Sequence, residues 1–503
     1  MANKTVFAST AFKNHAGGKA FAKSDEETLV QFAMTGTFND TYYTKGANQL
    51  TQVMDGASRV SDEFIAKLAI YGRQQGLMKD MPALLCAILV ARQSAHVDTV
   101  FTQVIDNPRM LRNFVQMMRS GVVGRKSLGT KAKRLVQNFI GKLSDYALWE
   151  ASIGNDPSLV DVMKLAHPKA KDDRRNALYA YILGRPVDAA QLPDFIREYE
   201  DFVKGDSKDA PLRAPFQKLT ALPLKEDDWK RIALNASWTQ TRLNLNTFAR
   251  HGVFKDREMV TMLAERLSNR ENVLKAKAFP YQLMAAMLNI DSEIPHEMES
   301  ALELAMDVAL ESVPVIEGTT LIAVDISGSM SDPVTGRGGV PSKISCLQAA
   351  ALIGSALLHK NRSAYLVAFN TACQEGTFPA DQSVMQMARE FSAIQGGGTD
   401  CGSVLRHMNE HNIQVRNVIL ISDNESWADR HNSNLSALWA GYKQKVPGAR
   451  MINLDITPNE TSATANRADT LRVGGFSDEV FSVMSAFLAG NKTQLDAVKA
   501  VKL

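Results

Sequence analysis

The chain has 503 residues, 45% hydrophobic and 22% charged, with a formal net charge of +3. At about 100–200 residues per domain that length suggests two to four domains. The near-neutral balance excludes a global basic field, so any surface for a polyanion must be a local patch. The four cysteines, Cys86, Cys346, Cys373 and Cys401, are scattered without a Cys-x-x-Cys pair, as suits a reducing compartment. The amino terminus lacks the apolar core of a signal peptide, and the longest apolar run, near Met81–Ala91, is too short to span a bilayer. A cytoplasmic protein without a membrane partner is expected.

Residues 1–23 are polar and contain Ala16-Gly-Gly-Lys-Ala20, which predicts a flexible arm. Ser24-Asp-Glu-Glu27 then reads as a helix start, with a capping hydroxyl and acids in the first turn. Apolar residues recur from there at three- and four-residue spacing, with segments near 26–35, 61–76, 83–94, 99–106, 108–119, 129–143, 158–166, 173–183, 190–202, 226–235, 237–251, 256–270, 276–289 and 297–311. Short helices with brief polar connections predict stacked helical pairs, a solenoid or ring over residues 1–313. No regular sequence repeat accompanies them.

Pro314 and Gly318 break the helical pattern, and residues 314–319 are the expected linker. From 320 to 503 strands near 320–324, 364–369, 417–422 and 450–455 alternate with helices near 344–359, 382–391, 402–411, 433–445 and 477–488, which predicts a doubly wound α/β domain. Its first strand runs into Asp325-Ile-Ser-Gly-Ser329, a turn that offers one carboxylate and two hydroxyls. Gly396-Gly-Gly-Thr-Asp400 adds Thr399 on a glycine loop, and Val418-Ile-Leu-Ile-Ser-Asp423 ends on Asp423. In an open α/β sheet such loops converge outside the carboxyl ends of the strands. Asp325, Ser327, Ser329, Thr399 and Asp423 are therefore the predicted ligands of a divalent metal, Mg²⁺ by the hardness of the oxygens. The order and spacing resemble the metal-ion-dependent adhesion site of von Willebrand factor type A domains. A haloacid-dehalogenase phosphatase would also place Asp after a strand, but it needs a carboxylate two residues on, where this chain has Ser327. Pro333–Pro341, beside the metal loop, lacks Walker A spacing. His407-Met-Asn-Glu-His411 matches H-x-x-E-H but falls on a helix the α/β pattern already explains, so no zinc is assigned.

Within the helical part, Asn107–Ser144 holds Arg109, Arg112, Arg119, Arg125, Lys126, Lys131, Lys133, Arg134 and Lys142 and no acid. Charge runs are usually solvated faces, but a solvated face normally mixes signs. An acid-free run points to a polyanion, because phosphate neutralisation releases counterions. Phe114 and Phe139 are the only aromatics there, so recognition by shape and backbone is expected rather than base stacking.

An acid-free basic segment in a helical array, followed by a type A domain, resembles the Ro autoantigen family with its TROVE domain. The resemblance rests on Gly36-Thr-Phe-Asn-Asp-Thr-Tyr-Tyr43, Ser120-Gly-Val-Val-Gly-Arg125, Lys164-Leu-Ala-His-Pro-Lys169, Ala278-Phe-Pro-Tyr281, Asp325-Ile-Ser-Gly-Ser-Met330, Ala393-Ile-Gln-Gly-Gly-Gly-Thr-Asp-Cys401 and Asp423-Asn-Glu-Ser426. It implies a ring of HEAT-like repeats followed by a von Willebrand factor A-like domain. It also implies a non-enzymatic RNA-binding protein, expected to be a monomer. Such a protein would bind small structured noncoding (Y-like) RNA and the 3′ ends of misfolded RNA in RNA quality control, with an exoribonuclease such as polynucleotide phosphorylase as partner. His167 stands where the family has an RNA-contacting histidine, and with Arg112, Arg119, Arg125, Lys126, Lys131, Lys133 and Arg134 it makes the expected RNA site. Basic residues that the family carries upstream of that histidine are here Glu150 and Gly154. The competing expectation is a metal-dependent protein-interaction adaptor without RNA binding.

Overall fold

The structure, a computed structural model, describes the whole chain except residues 1–11, 36–45, 155–156, 279, 335, 338–339, 342, 376–381, 395, 428–434, 476, 478 and 491. The motif Gly36–Tyr43 thus lies outside the described residues, as do Phe279, Gln395 and three positions of the Pro333–Pro341 insertion. Among the described residues no helix is long and apolar enough to cross a membrane. The chain forms two compact units, Met1–Leu85 with Ser312–Leu503, and Cys86–Glu311.

The first unit is built on a six-stranded sheet. In chain order its strands are β3 (Thr320–Asp325), β4 (Tyr365–Phe369), β5 (Cys373–Glu375), β6 (Asn417–Ser422), β7 (Arg450–Asp455) and β9 (Thr470–Gly474), and their spatial order is β9-β7-β6-β3-β4-β5. All neighbours are parallel except β5, which runs antiparallel to β4. The doubly wound expectation holds. Helices cover a parallel sheet on both faces, so its central strands are apolar throughout rather than alternating; every residue of β3 and β6 is buried. Trp439, Tyr442, Leu405 and Met408 pack beneath Leu321, Val418 and Leu420 to form one core layer. From β3 the chain turns to β4 on one side, and from β6 to β7 on the other. Their loops therefore diverge, which opens a crevice at the carboxyl ends of β3 and β6.

The amino-terminal residues depart from expectation. From Phe12 onward the predicted flexible arm is ordered: β1 (Phe12–Lys13) and β2 (Lys19–Ala22) form a hairpin, and β2 pairs antiparallel with β8 (Thr461–Ser462). The reason is a buried anchor just beyond it, where the Lys23 ammonium donates to Asp455 Oδ2 at 2.9 Å and to the Asn459 carbonyl at 3.1 Å. Helix Asp25–Thr35 follows, with Gln31 Nε2 on the same Asp455 oxygen at 2.6 Å and Glu27 paired to Arg472. Tyr71, on helix Asp62–Gln74, donates to Glu479. These ties place the hairpin and helices Asp25–Thr35 and Asp62–Gln74 in the α/β unit rather than in the helical one, against the expected single domain over 1–313.

In the second unit the described elements are all helical. Its helices are short, and polar caps fix their starts. Asn107 accepts from Met110 N–H ahead of helix Pro108–Ser120, Ser144 caps Asp145–Ala151, and Ser158 forms a capping box for Leu159–Ala166. Helix Pro108–Ser120 buries Met110, Leu111, Phe114, Val115 and Met118, a stripe one helical face wide. That stripe leaves Arg109 and Arg119 exposed.

Candidate metal centre and basic face

Asp325 ends β3, and Ser327 and Ser329 follow in a tight 3₁₀ turn. The Ser327 N–H donates to Asp325 Oδ1 at 2.8 Å, which folds the turn back on the carboxylate. Ser327 and Ser329 hydroxyls lie 3.3 Å apart. Backbone bonds bring in the glycine loop: Gly396 N–H donates to the Ile326 carbonyl at 2.8 Å, and Gly328 N–H to the Gly397 carbonyl at 3.1 Å. Gly397 needs its positive φ of 86° to make this approach. Asp423 stands just past β6, and its Oδ1 accepts the Glu425 N–H at 3.2 Å. Trp427 N–H donates to the Thr399 carbonyl at 2.9 Å, which closes the circle of three loops.

All five predicted ligands are buried, Thr399 at 1% exposure and Asp325 at 0%. Burial pushes the Asp325 carboxyl up to about 7, the nearby Asp423 charge adds to the rise, and hydrogen bonds from Ser422 and Ser327 oppose it. Burial also raises Asp423, against a hydrogen bond from Ser329. Among the described residues no lysine, arginine or histidine pairs with either carboxylate. Two buried acids beside each other without a counter-charge, ringed by three hydroxyls, fit a hard divalent cation, which would supply the missing positive charge. No group of three His, Cys, Asp or Glu side chains gathers for a metal among the described residues, so this site depends on its hydroxyls. The His407 and His411 rings lie close, with centroids 4.4 Å apart and planes tilted by 39°, and His407 is half-buried.

Three supporting residues escaped the sequence reading. Ser422 Oγ donates to Asp325 Oδ2 at 2.5 Å, and Asn370 Nδ2 holds the Gly396 carbonyl at 2.8 Å. Each follows or ends an apolar strand, where a polar residue at the carboxyl end of the sheet is the available signal. The third, Asp400, is buried but is not a spare ligand, because Arg406 pairs with it and Gly402 N–H donates to it.

The eight predicted RNA-binding residues lie in the second unit. Gln137, on helix Gly129–Lys142, donates to the carbonyls of Ala166 at 2.7 Å and His167 at 3.3 Å. That bond sets the end of helix Leu159–Ala166 against the face carrying Lys133 and Arg134, one turn earlier. Helix Pro108–Ser120 packs against helix Leu159–Ala166 as well, so Arg119 at its end joins the same cluster. Arg119, Lys126, Arg134 and His167 are exposed, and His167 caps its helix at a left-handed φ of 51°. Two of the eight are otherwise engaged. Arg112 Nη1 caps the Ala151 carbonyl at 3.1 Å, and Lys131 pairs with Asp98. The run is acid-free in sequence only, since Asp98 comes from the neighbouring helix Val97–Val104. Arg125 and Lys133 are half-buried and Glu150 is exposed.

The family model described as the Ro60 vWA domain matches residues 319–488. Along 95% of both chains the sequence is 27% identical to RNA-binding protein RO60 of Deinococcus radiodurans. It is 24% identical to RNA-binding protein RO60 of Caenorhabditis elegans over 47% of this chain and 38% of that one. The crystal structure of the Deinococcus radiodurans RO (RSR) protein superposes with a TM-score of 0.61 at 21% identity, over 93% of this chain and all of that one.

Proposed function

We propose that this chain is a Ro-type RNA-binding protein whose helical unit holds a small structured noncoding RNA. The observation that carries the reading is that the helices bearing Arg119, Lys133 and Arg134 both pack against the helix that ends at His167, with the Gln137 bonds to Ala166 and His167 fixing one of the two contacts. Cationic and hydrogen-bonding groups from separate helices match a folded phosphate backbone better than a single strand, which stacking aromatics would serve. The relatives named RNA-binding protein RO60 support RNA as the ligand class. Binding of misfolded RNA 3′ ends, a role in cytoplasmic RNA quality control and partnership with an exoribonuclease such as polynucleotide phosphorylase belong to the same proposal. So does a monomeric, non-enzymatic mode of action.

Asp325, Ser327, Ser329, Thr399 and Asp423 hold Mg²⁺ in this reading. Held there, it would offset the charge of two buried carboxylates and would supply a Lewis-acidic position for an acidic partner side chain. The protein's own part is to exclude water and keep the three loops in register through backbone bonds.

The test is recovery of RNA from cells of the native host at moderate salt, wild type against the Arg119/Lys133/Arg134→Ala variant. One discrete structured RNA, lost in the variant, supports the proposal. Equal recovery of heterogeneous fragments by both, or no RNA with either, moves the reading to a metal-dependent protein adaptor.

A further inference from the structure

The ordered amino-terminal turn reaches the metal loops, and no ligand motif explains why. Asn14 N–H donates to the Gly18 carbonyl at 3.0 Å, and Gly18 N–H returns to Asn14 Oδ1 at 2.7 Å, so the turn is closed on itself. Its outer side docks on the segment after Asp423. Asn14 Nδ2 donates to the Ser426 carbonyl at 2.8 Å, and the backbone N–H groups of His15 and Ala16 point at the Glu425 carboxylate, Ala16 at 3.2 Å. Successive N–H groups on a carboxylate form an anion nest. Glu425 is fully buried, so without that nest it would keep a charge with little to solvate it. Gly18 lies so close that a Cβ there would run into the Ser426 carbonyl.

The far side of the same segment holds Asp423 and meets the loop that carries Thr399. Glu425 N–H holds Asp423 Oδ1, Ser426 Oγ accepts the Cys401 N–H at 3.1 Å, and Trp427 N–H holds the Thr399 carbonyl at 2.9 Å. Gly398 packs under the Trp427 indole, where a Cβ would lie 2.6 Å from Cζ2. Residues 423–427 are thus gripped between the amino-terminal turn and the Thr399 loop.

We propose that the turn Asn14–Gly18 is a positioning element of the metal centre, holding Asp423 and Thr399 in register through Glu425 and Ser426 and so setting the affinity of the site for its divalent cation. The inference rests on the metal reading of Asp325, Ser327, Ser329, Thr399 and Asp423. Groups that orient metal ligands without touching the ion typically change affinity about ten- to hundredfold when removed.

The experiment uses the full chain, as wild type, Asn14→Ala and Gly18→Ala. It measures Mn²⁺ affinity by titration calorimetry and, without metal, hydrogen exchange of the Cys401 and Trp427 amides against the Val418–Ile421 core. We expect both variants to bind Mn²⁺ about tenfold more weakly, with faster exchange at Cys401 and Trp427 and an unchanged core. Should Gly18→Ala fail to fold, Asn14→Ala, which loses hydrogen bonds without a clash, decides the matter. Wild-type affinity in a folded variant overturns the positioning role and leaves the metal reading standing. Absence of Mn²⁺ binding by the wild type overturns the metal reading and this inference with it.

Discussion

The metal loops and the basic face are built by opposite means. Around Asp325 and Asp423 every donor is buried, backbone bonds tie the glycine loop to both other loops, and Ser422 joins those two through Asp325, so geometry there is fixed by the sheet and its turns. On helices Pro108–Ser120 and Gly129–Lys142 the charges sit on side chains at or near the surface, and only the Gln137 bonds and helix packing decide which of them share a face. A buried polar site tolerates little variation, because each unpaired group is costly. An exposed cationic face is graded, and each member adds a modest, salt-screened share.

The largest effect is expected where burial is complete. Asp325→Asn removes a ligand charge and is expected to abolish the stabilisation that excess Mg²⁺ confers on the wild type, about 2.7 kcal/mol at a hundredfold excess over Kd. Thermal unfolding with Mg²⁺ or with chelator checks this. RNA binding should stay at the wild-type level, and a parallel loss of RNA would break the division between the two regions.

On the basic face the Arg119/Lys133/Arg134→Ala variant should weaken RNA binding evenly across sequences. It should also lower the slope of log K against log salt by about one unit per residue removed. Filter binding at several salt concentrations reads both quantities. An unchanged slope with weaker binding would mean that these side chains support the fold rather than touch phosphate.

This contrast also explains what the sequence reveals. The strands ending at Asp325 and Ser422 are legible because four or five consecutive apolar residues precede a polar turn, and the three loops follow from strand order. β2, β5 and β9 escape notice. β5 has three residues, β9 pairs at the sheet edge, and β2 is a polar-flanked segment whose partner, Thr461–Ser462, lies more than 430 residues away. The helix Gly46–Arg59 is also unanticipated, since Gly46, Gln49 and Gly56 fill buried positions that apolar residues usually mark. Spacing shows which residues carry charge in Asn107–Ser144, but the pairing of Lys131 with Asp98 and the capping by Arg112 arise from packing between helices.

A second buried acid shows what a carboxylate does when hydrogen bonds rather than hydroxyl ligands surround it. Glu479 accepts from Tyr71 and, at 3.1 Å, from Gln494 Nε2, and burial pushes its carboxyl up to about 8. A raised carboxyl favours the folded state while protonated, so that stability is whole below about pH 4.5 and is lost as pH rises through about 8. Glu479→Gln should remove this dependence and make the protein more stable than wild type at pH 8, by an amount on the order of a few kcal/mol. Denaturant unfolding at pH 5 and 8, with chelator present so that the metal centre contributes equally, measures the difference.

The smallest predicted effect discriminates within the basic face itself. Lys131 belongs to the acid-free run, yet its ammonium is already paired with Asp98, and both side chains are partly exposed. An exposed pair of this kind contributes about 0.2–1 kcal/mol to stability, and its positive charge is largely cancelled at the distance of a bound phosphate. Lys131→Ala should therefore weaken RNA binding far less than Arg134→Ala, whose guanidinium is exposed. Asp98→Ala should do the reverse, releasing Lys131 and strengthening binding at low salt. If Lys131→Ala and Arg134→Ala weaken binding equally, the RNA displaces Asp98 when it docks, and the face is larger than the free protein displays.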